Sequence, residues 1–237
     1  MSNLVFLKAE IKKSANPERA KISQRFFKTG KGEYGEGDIF IGITVPESRK
    51  IAKKYSDLEF EYISELLKSK IHEERLIALL ILVDKFKKAK KNKSEQRKIF
   101  EFYLTQSQYV NNWDLVDLSA DKIVGEFLFN DDKQLLYYYA KSKNIWQRRI
   151  AMVSTYAFIK KRKFGETLAI AEILLKDEHD LIQKAVGWML REIGKRNSQV
   201  LETFLQENYK SMPRTMLRYS IEKFPQEKRL KYLKGEI

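Results

Sequence analysis

Asn112-Trp113-Asp114-Leu115-Val116-Asp117 sets an indole and two carboxylates within six residues, ahead of an apolar-periodic run through Ile123 and Phe127. On a helix Trp113 and Asp117 share a face, and Asp114 stands beside Asp117 at the i,i+3 spacing. A ring face and a carboxylate, projected together, both favour positive charge. The plainer reading places Trp113 in the core and leaves Asp114 and Asp117 as a solvated first turn, which the helix dipole favours. A motif this short does not decide between them.

The other two tryptophans also lie beside charge. Trp146 falls in Asn144-Ile145-Trp146-Gln147-Arg148-Arg149, at the start of a helical pattern where an apolar anchor is needed, and reads as core. Trp188 has Lys184 one turn before it and Arg191 nearly one turn after it. An aromatic flanked by cations on one helical face suits a surface that tracks a nucleic-acid backbone, with the indole on a base or sugar and the cations on phosphates. It equally fits a boundary tryptophan with snorkelling neighbours.

Charge supports the first of these. The chain has 237 residues, 46 Lys and Arg against 32 Asp and Glu, and a formal net charge of +14 spread along its length. Such a surface fits a polyanion, with nucleic acid the first candidate and an anionic membrane the second. A general preference for lysine would give the same excess. There is no cysteine, so disulfides, thiolate nucleophiles and Cys-type zinc sites are excluded. The two histidines, His72 and His179, are flanked by acidic residues, form no metal-ligand spacing, and read as solvent-side. No apolar run has the length of a membrane span, and the N-terminus shows no secretory signal pattern, so a soluble cytoplasmic protein is expected.

These residues must be positioned by helices. Apolar residues recur at intervals of three and four: residues 1–28 with a break at Pro17, Leu58 to Leu67, Glu73 to Lys88, Ile99 to Leu104, Trp113 to Phe129, Gln134 to Lys141, Ile145 to Lys161, Leu168 to Leu175, Asp180 to Lys195, Gln199 to Tyr209 and Arg214 to Phe224. Period-2 alternation is nowhere sustained, so the chain is all-α. Pro46 and Glu47 mark a further helix start. Residues 29–37 hold four of the ten glycines. They lack the lysine spacing of a phosphate-cradling loop and read as a mobile connector.

The helices recur in register. Arg75-Leu76-Ile77-Ala78, Arg148-Arg149-Ile150-Ala151 and Lys184-Ala185-Val186-Gly187 each set a basic residue three before a small one, and Asp114 to Asp117 lies on the same frame. The starts fall 39, 34 and 36 residues apart, the period of a HEAT-like helix-pair repeat that stacks into a curved α-solenoid. One domain over 1–237 is expected, with N-terminal helices and the glycine-rich loop over 1–45 and repeats over 46–237. Asp117 stands where the frame otherwise keeps a small side chain.

Three segments in the same order, Trp113 to Asp117, Asn144 to Arg149 and Ile182 to Glu192, resemble the signature blocks of the AlkD-like DNA alkylation repair glycosylases, and Phe40 to Arg49 is similar to that family's N-terminal block of Gly, Pro and Arg. The glycine-rich insertion at Gly30 to Gly37 departs from the pattern. The resemblance implies a HEAT-like solenoid that binds duplex DNA and hydrolyses the N-glycosidic bond of cationic N3- and N7-alkylated purines. It assigns Trp113, Trp188 and Asp117 to the lesion site and Arg149 to the adjacent backbone. Lys184 and Arg191, the cations beside Trp188, are expected to bind DNA as well, as are Arg148 and Arg49. No metal, other cofactor or lyase step is implied, and a monomer is expected. None of the family's site residues is missing, which argues against its non-excising relatives.

The chemistry fits these residue types. An alkylated purine already carries positive charge, and its departure leaves an oxocarbenium-like sugar. A carboxylate stabilises that charge and orients or deprotonates the attacking water, while each indole face contributes about 0.5 to 2 kcal/mol toward a cationic nucleotide. The rival is a noncatalytic HEAT-type scaffold with a basic surface, which gives no reason for Asp117 in a small-residue slot.

Overall fold

All eleven residues from His72 to Leu82 are buried, the mark of a helix packed on every side. The structure, a computed structural model, describes residues 3–237; Met1 and Ser2, read above as the start of the first helix, lie outside the described residues. The chain divides into two compact units, Met1–Ile123 and Val124–Ile237.

The first unit contains α1 (Asn3–Lys13), α2 (Pro17–Phe26), α3 (Val45–Lys54), α4 (Phe60–Leu67), α5 (His72–Lys88), α6 (Lys93–Thr105) and α7 (Trp113–Ala120). Helices α3, α4, α6 and α7 pack on α5. Local chemistry sets the helix starts. Asn16 caps α2 through its side chain, with Pro17 in the first turn, and Thr44 with Glu47 forms a reciprocal capping box on α3, as Pro46 and Glu47 suggest. Asn112 caps α7.

The second unit contains α8 (Glu126–Leu128), α9 (Gln134–Ala140), α10 (Ile145–Ser154), α11 (Tyr156–Lys160), α12 (Gly165–Ile173), α13 (Asp180–Gly194), α14 (Ser198–Asn208), α15 (Arg214–Ser220) and α16 (Gln226–Lys234). Helix α13 is its centre, against α10, α11, α12, α14 and α15. A Cβ on Gly187 would lie 2.5 Å from the Tyr219 Cβ and 2.6 Å from the Met216 carbonyl. The small residue in the frame is what lets α13 and α15 approach.

The all-helical reading holds. Among the described residues the only extended pairing is an isolated parallel bridge between Ile39 and Ile71. Two long periodic runs are interrupted. Ile145 to Lys161 divides at Thr155, whose hydroxyl donates to the Met152 carbonyl at 2.7 Å and competes with the helical ladder. Trp113 to Phe129 passes through a π-helical turn at Asp121–Gly125. The glycine-rich stretch, read as a connector, is a series of hydrogen-bonded turns: Gly35 N–H donates to the Lys28 carbonyl, and the Gly30 and Gly32 amides donate to Glu33 and Glu36. Among the described residues no helix is long and apolar enough to cross a membrane.

Candidate active site

Helix α7 brings Trp113 and Asp117 together, one turn apart and both half-buried. Of the frame positions, Ala78 and Ala151 are fully buried, whereas Asp117 keeps solvent contact. Asp114, expected to share that exposed first turn, is only 6 % exposed. One of its carboxylate oxygens accepts from the Leu115 amide at 2.8 Å, and the other lies 2.8 Å from His72 Nε2.

His72 corrects the reading of the histidines. It is 1 % exposed, and its other ring nitrogen, Nδ1, lies 3.1 Å from Asp38 Oδ2. Asp38 in turn accepts from Arg75 Nη2 at 2.6 Å and from Asn112 Nδ2 at 3.1 Å. Two carboxylates thus face an imidazole and a guanidinium in a buried cluster. Burial works against a charged His72, but the Asp114 carboxylate and the bonds to Asp114 and Asp38 outweigh it and raise the pKa to about 9. Burial likewise opposes the Asp38 charge, and the His72 bond and Arg75 overcome it, holding its carboxyl below the usual range. His179, also expected on the solvent side, is half-buried and caps α13, its Nδ1 accepting from the Leu181 amide at 3.2 Å.

The segment that delivers Asp38 is fixed along its length. Gln24 on α2 donates to the Asp38 carbonyl and accepts from the Phe40 amide, at 2.7 and 3.1 Å. Ile39 bonds to Lys70 and to His72 across the bridge. The Glu73 carboxylate, 2 % exposed, accepts from the amides of Ile41, Gly42 and Ile43. Gly42 has φ +84°, and a Cβ there would lie 2.1 Å from the Asn16 carbonyl oxygen, so only glycine fits.

Aromatic rings connect this cluster to the candidate site. Trp113 stacks on Phe27 (ring centroids 5.0 Å apart, planes 7° from parallel), Phe27 on Phe40 (4.6 Å, 27°) and Phe40 on His72 (4.3 Å, 22°). Phe26, 64 % exposed, meets Trp113 edge-on at 5.9 Å.

The second unit holds the remaining sequence-identified residues except Arg49, which is exposed on α3. Trp188 is half-buried on α13, 6.1 Å from Tyr156, and the Tyr156 ring has Lys160 Nζ at 5.4 Å and Arg196 Cζ at 5.6 Å. The expected flanking cations have acidic partners: Lys184 pairs with Asp180 at 2.6 Å and Arg191 with Glu222. Arg148 donates to Asp177 at 2.7 Å and to the Ser142 and Lys143 carbonyls. Arg149 is 5 % exposed and donates to the Leu181 carbonyl in the first turn of α13. Trp146, read as core, is half-buried.

Sequence reasoning missed the cluster of Asp38, His72, Arg75 and Asp114. Its members are separated by up to 76 positions, and acidic neighbours in a first helical turn look alike whether solvated or buried. Among the described residues no group of three or more His, Asp or Glu is arranged to hold a metal.

A family described as "DNA alkylation repair enzyme" matches residues 7–224. The structure is similar to a predicted DNA alkylation repair enzyme from Enterococcus faecalis, with a TM-score of 0.69, 19% identity, and coverage of 90% of this chain and 98% of that one. It is also similar to AlkD2 from Streptococcus mutans (TM-score 0.54, 19% identity, coverage 88% and 98%) and to smu.31 of Streptococcus mutans UA159 (0.52, 22%, 76% and 92%). Comparison with curated proteins finds no match.

Proposed function

The chain belongs to the DNA alkylation repair enzyme family, and from that premise we propose that it is a glycosylase that hydrolyses the N-glycosidic bond of cationic N3- and N7-alkylated purines in duplex DNA. The observation that carries this reading is the pairing of Trp113 with Asp117 on one face of α7, both reachable from solvent while the neighbouring Asp114 is sealed against His72. A carboxylate that must meet a sugar has to keep some contact with solvent, and Asp117 is half-buried where Asp114 is buried.

In this mechanism the indole of Trp113 contacts the cationic nucleotide and Asp117 stabilises positive charge on the sugar as the purine departs. Asp117 also orients or deprotonates the water that completes the hydrolysis. Trp188 takes the role of the second indole, an assignment supported by its half-burial and by the neighbouring Tyr156, whose ring carries Lys160 and Arg196. Arg49 and Lys184 meet phosphates. Arg149 bonds to the Leu181 carbonyl at the start of α13, the helix that carries Trp188.

The test is release of 7-methylguanine from alkylated duplex DNA by the purified protein. Release well above the spontaneous rate is expected. Release at the spontaneous rate would favour a noncatalytic scaffold.

A further inference from the structure

His72 is bonded to neither Trp113 nor Asp117, yet the start of α7 and the loop that carries Asp38 both converge on it. Its Nε2 reaches Asp114 in the first turn of α7, and its Nδ1 reaches Asp38, the residue that follows the glycine-rich turns. Asp38 is bonded to Asn112, the cap of α7, so the same carboxylate holds the imidazole and the helix start. The ring face of His72 lies on Phe40, and through Phe40 and Phe27 the stack ends on the indole of Trp113.

We infer that His72 is a positioning residue for the reaction: by bridging Asp38 and Asp114 beneath the Phe40–Phe27–Trp113 stack, it fixes the start of α7 and the plane in which Trp113 meets the nucleotide. The inference rests on the glycosylase reading for its catalytic consequence and on geometry alone for the placement of Trp113. It also gives the glycine-rich insertion a role, since those turns deliver Asp38 to the bridge.

The bridge needs a ring with two donors. A protonated imidazole offers N–H to both carboxylates, whereas a neutral one turns a lone pair toward one of them. The charged and polar groups facing the ring are Asp38 from the loop, Arg75 on its own helix, and Asp114 with Asn112 at the start of α7. A glutamine at position 72 keeps hydrogen-bonding ability and has no second nitrogen to span the gap.

The experiment uses the full chain in two forms. In a Trp146→Phe/Trp188→Phe background Trp113 is the one remaining tryptophan, so its emission and acrylamide quenching report its packing without any need for activity. There His72→Gln is expected to shift the emission to the red and to raise the quenching constant at least twofold. Without the replacement, the emission is expected to titrate near pH 9, a transition absent from His72→Gln. In the otherwise parental chain His72→Gln is expected to lower the single-turnover excision rate at least tenfold while the DNA dissociation constant stays within threefold. Asp38→Asn, which keeps the side-chain shape, is expected to do the same and serves if His72→Gln does not fold.

A folded variant with parental Trp113 emission and parental excision rate would overturn the inference. So would Trp113 emission that stays constant through pH 9 in the unreplaced chain, a measurement that needs no variant at position 72. A parent that releases no alkylated base while Trp113 still responds to His72→Gln would sink the glycosylase reading and leave the placement of Trp113 standing.

Discussion

The indole of Trp113 lies flat on the ring of Phe27, their planes 7° from parallel. One face of the indole is committed to that contact, so in the proposed reaction the nucleotide meets what Phe27 leaves open. Such a pair contributes about 0.5 to 1.5 kcal/mol beyond its buried area. Phe27→Leu is therefore expected to cost about 1 kcal/mol in urea unfolding and to slow excision more than it weakens DNA binding. Equal losses in rate and affinity would show that the stack serves binding alone.

Asp117→Asn preserves size and removes the charge. With general acid–base assistance worth about 10² to 10⁴ in rate, excision is expected to fall at least about 100-fold, with DNA affinity within about twofold of the parent. Excision at the parental rate would make Asp117 a structural residue.

His72 couples stability to pH with a definite sign. Its pKa is raised in the folded protein to about 9 from 6.5, so the folded state holds the proton more tightly. The resulting stability is fully present below pH 6.5 and is lost as pH rises through about 9, a change of about 3 kcal/mol at most. Asp38, held below its ordinary value of 3.8, contributes in the other sense: its share is present above pH 3.8 and is lost as pH falls through the lowered value. Urea unfolding at pH 6, 7.5 and 9 should show declining stability in the parent and a flatter profile in His72→Gln; parallel profiles would remove the link.

Arg49 and Arg149 should separate surface charge from internal bracing. Arg49→Ala is expected to make the dependence of log affinity on log salt shallower by about 0.9. Arg149→Ala strips a donor from the buried Leu181 carbonyl and is expected to cost about 1 to 3 kcal/mol of stability, with the salt slope unchanged. A slope change for Arg149→Ala and none for Arg49→Ala would exchange the two assignments.

The sequence was legible where a rule is local. Apolar residues three and four apart located α5, α7, α10 and α13, and Thr44 with Glu47 capped α3 where Pro46 and Glu47 suggested a start. Gly187 matched a close helix approach for the same reason, since a repeated frame exposes a position that must stay small. Trp113 and Asp117 were placed on one face by spacing alone. The cluster beneath them was hidden because His72, Asp38 and Asp114 come from separate elements, and a charged residue reads as solvated until its partners are known. Residue type alone likewise gave no sign that Arg149 reaches the Leu181 carbonyl or that Arg191 pairs with Glu222. The end of α10 at Thr155 was missed because the hydroxyl that competes for the backbone leaves the apolar period untouched.

Gln24 spends its single amide group on three partners: its nitrogen reaches Thr29 Oγ1 and the Asp38 carbonyl, each at 2.7 Å, and its oxygen takes the Phe40 amide. Thr29 opens the glycine-rich excursion and Asp38 follows its last residue, so the detour departs and returns at one knot. Residues 30–37 therefore leave and rejoin the fold at one place, and the position of Asp38 is set by Gln24 rather than by the path the chain takes between Thr29 and Asp38.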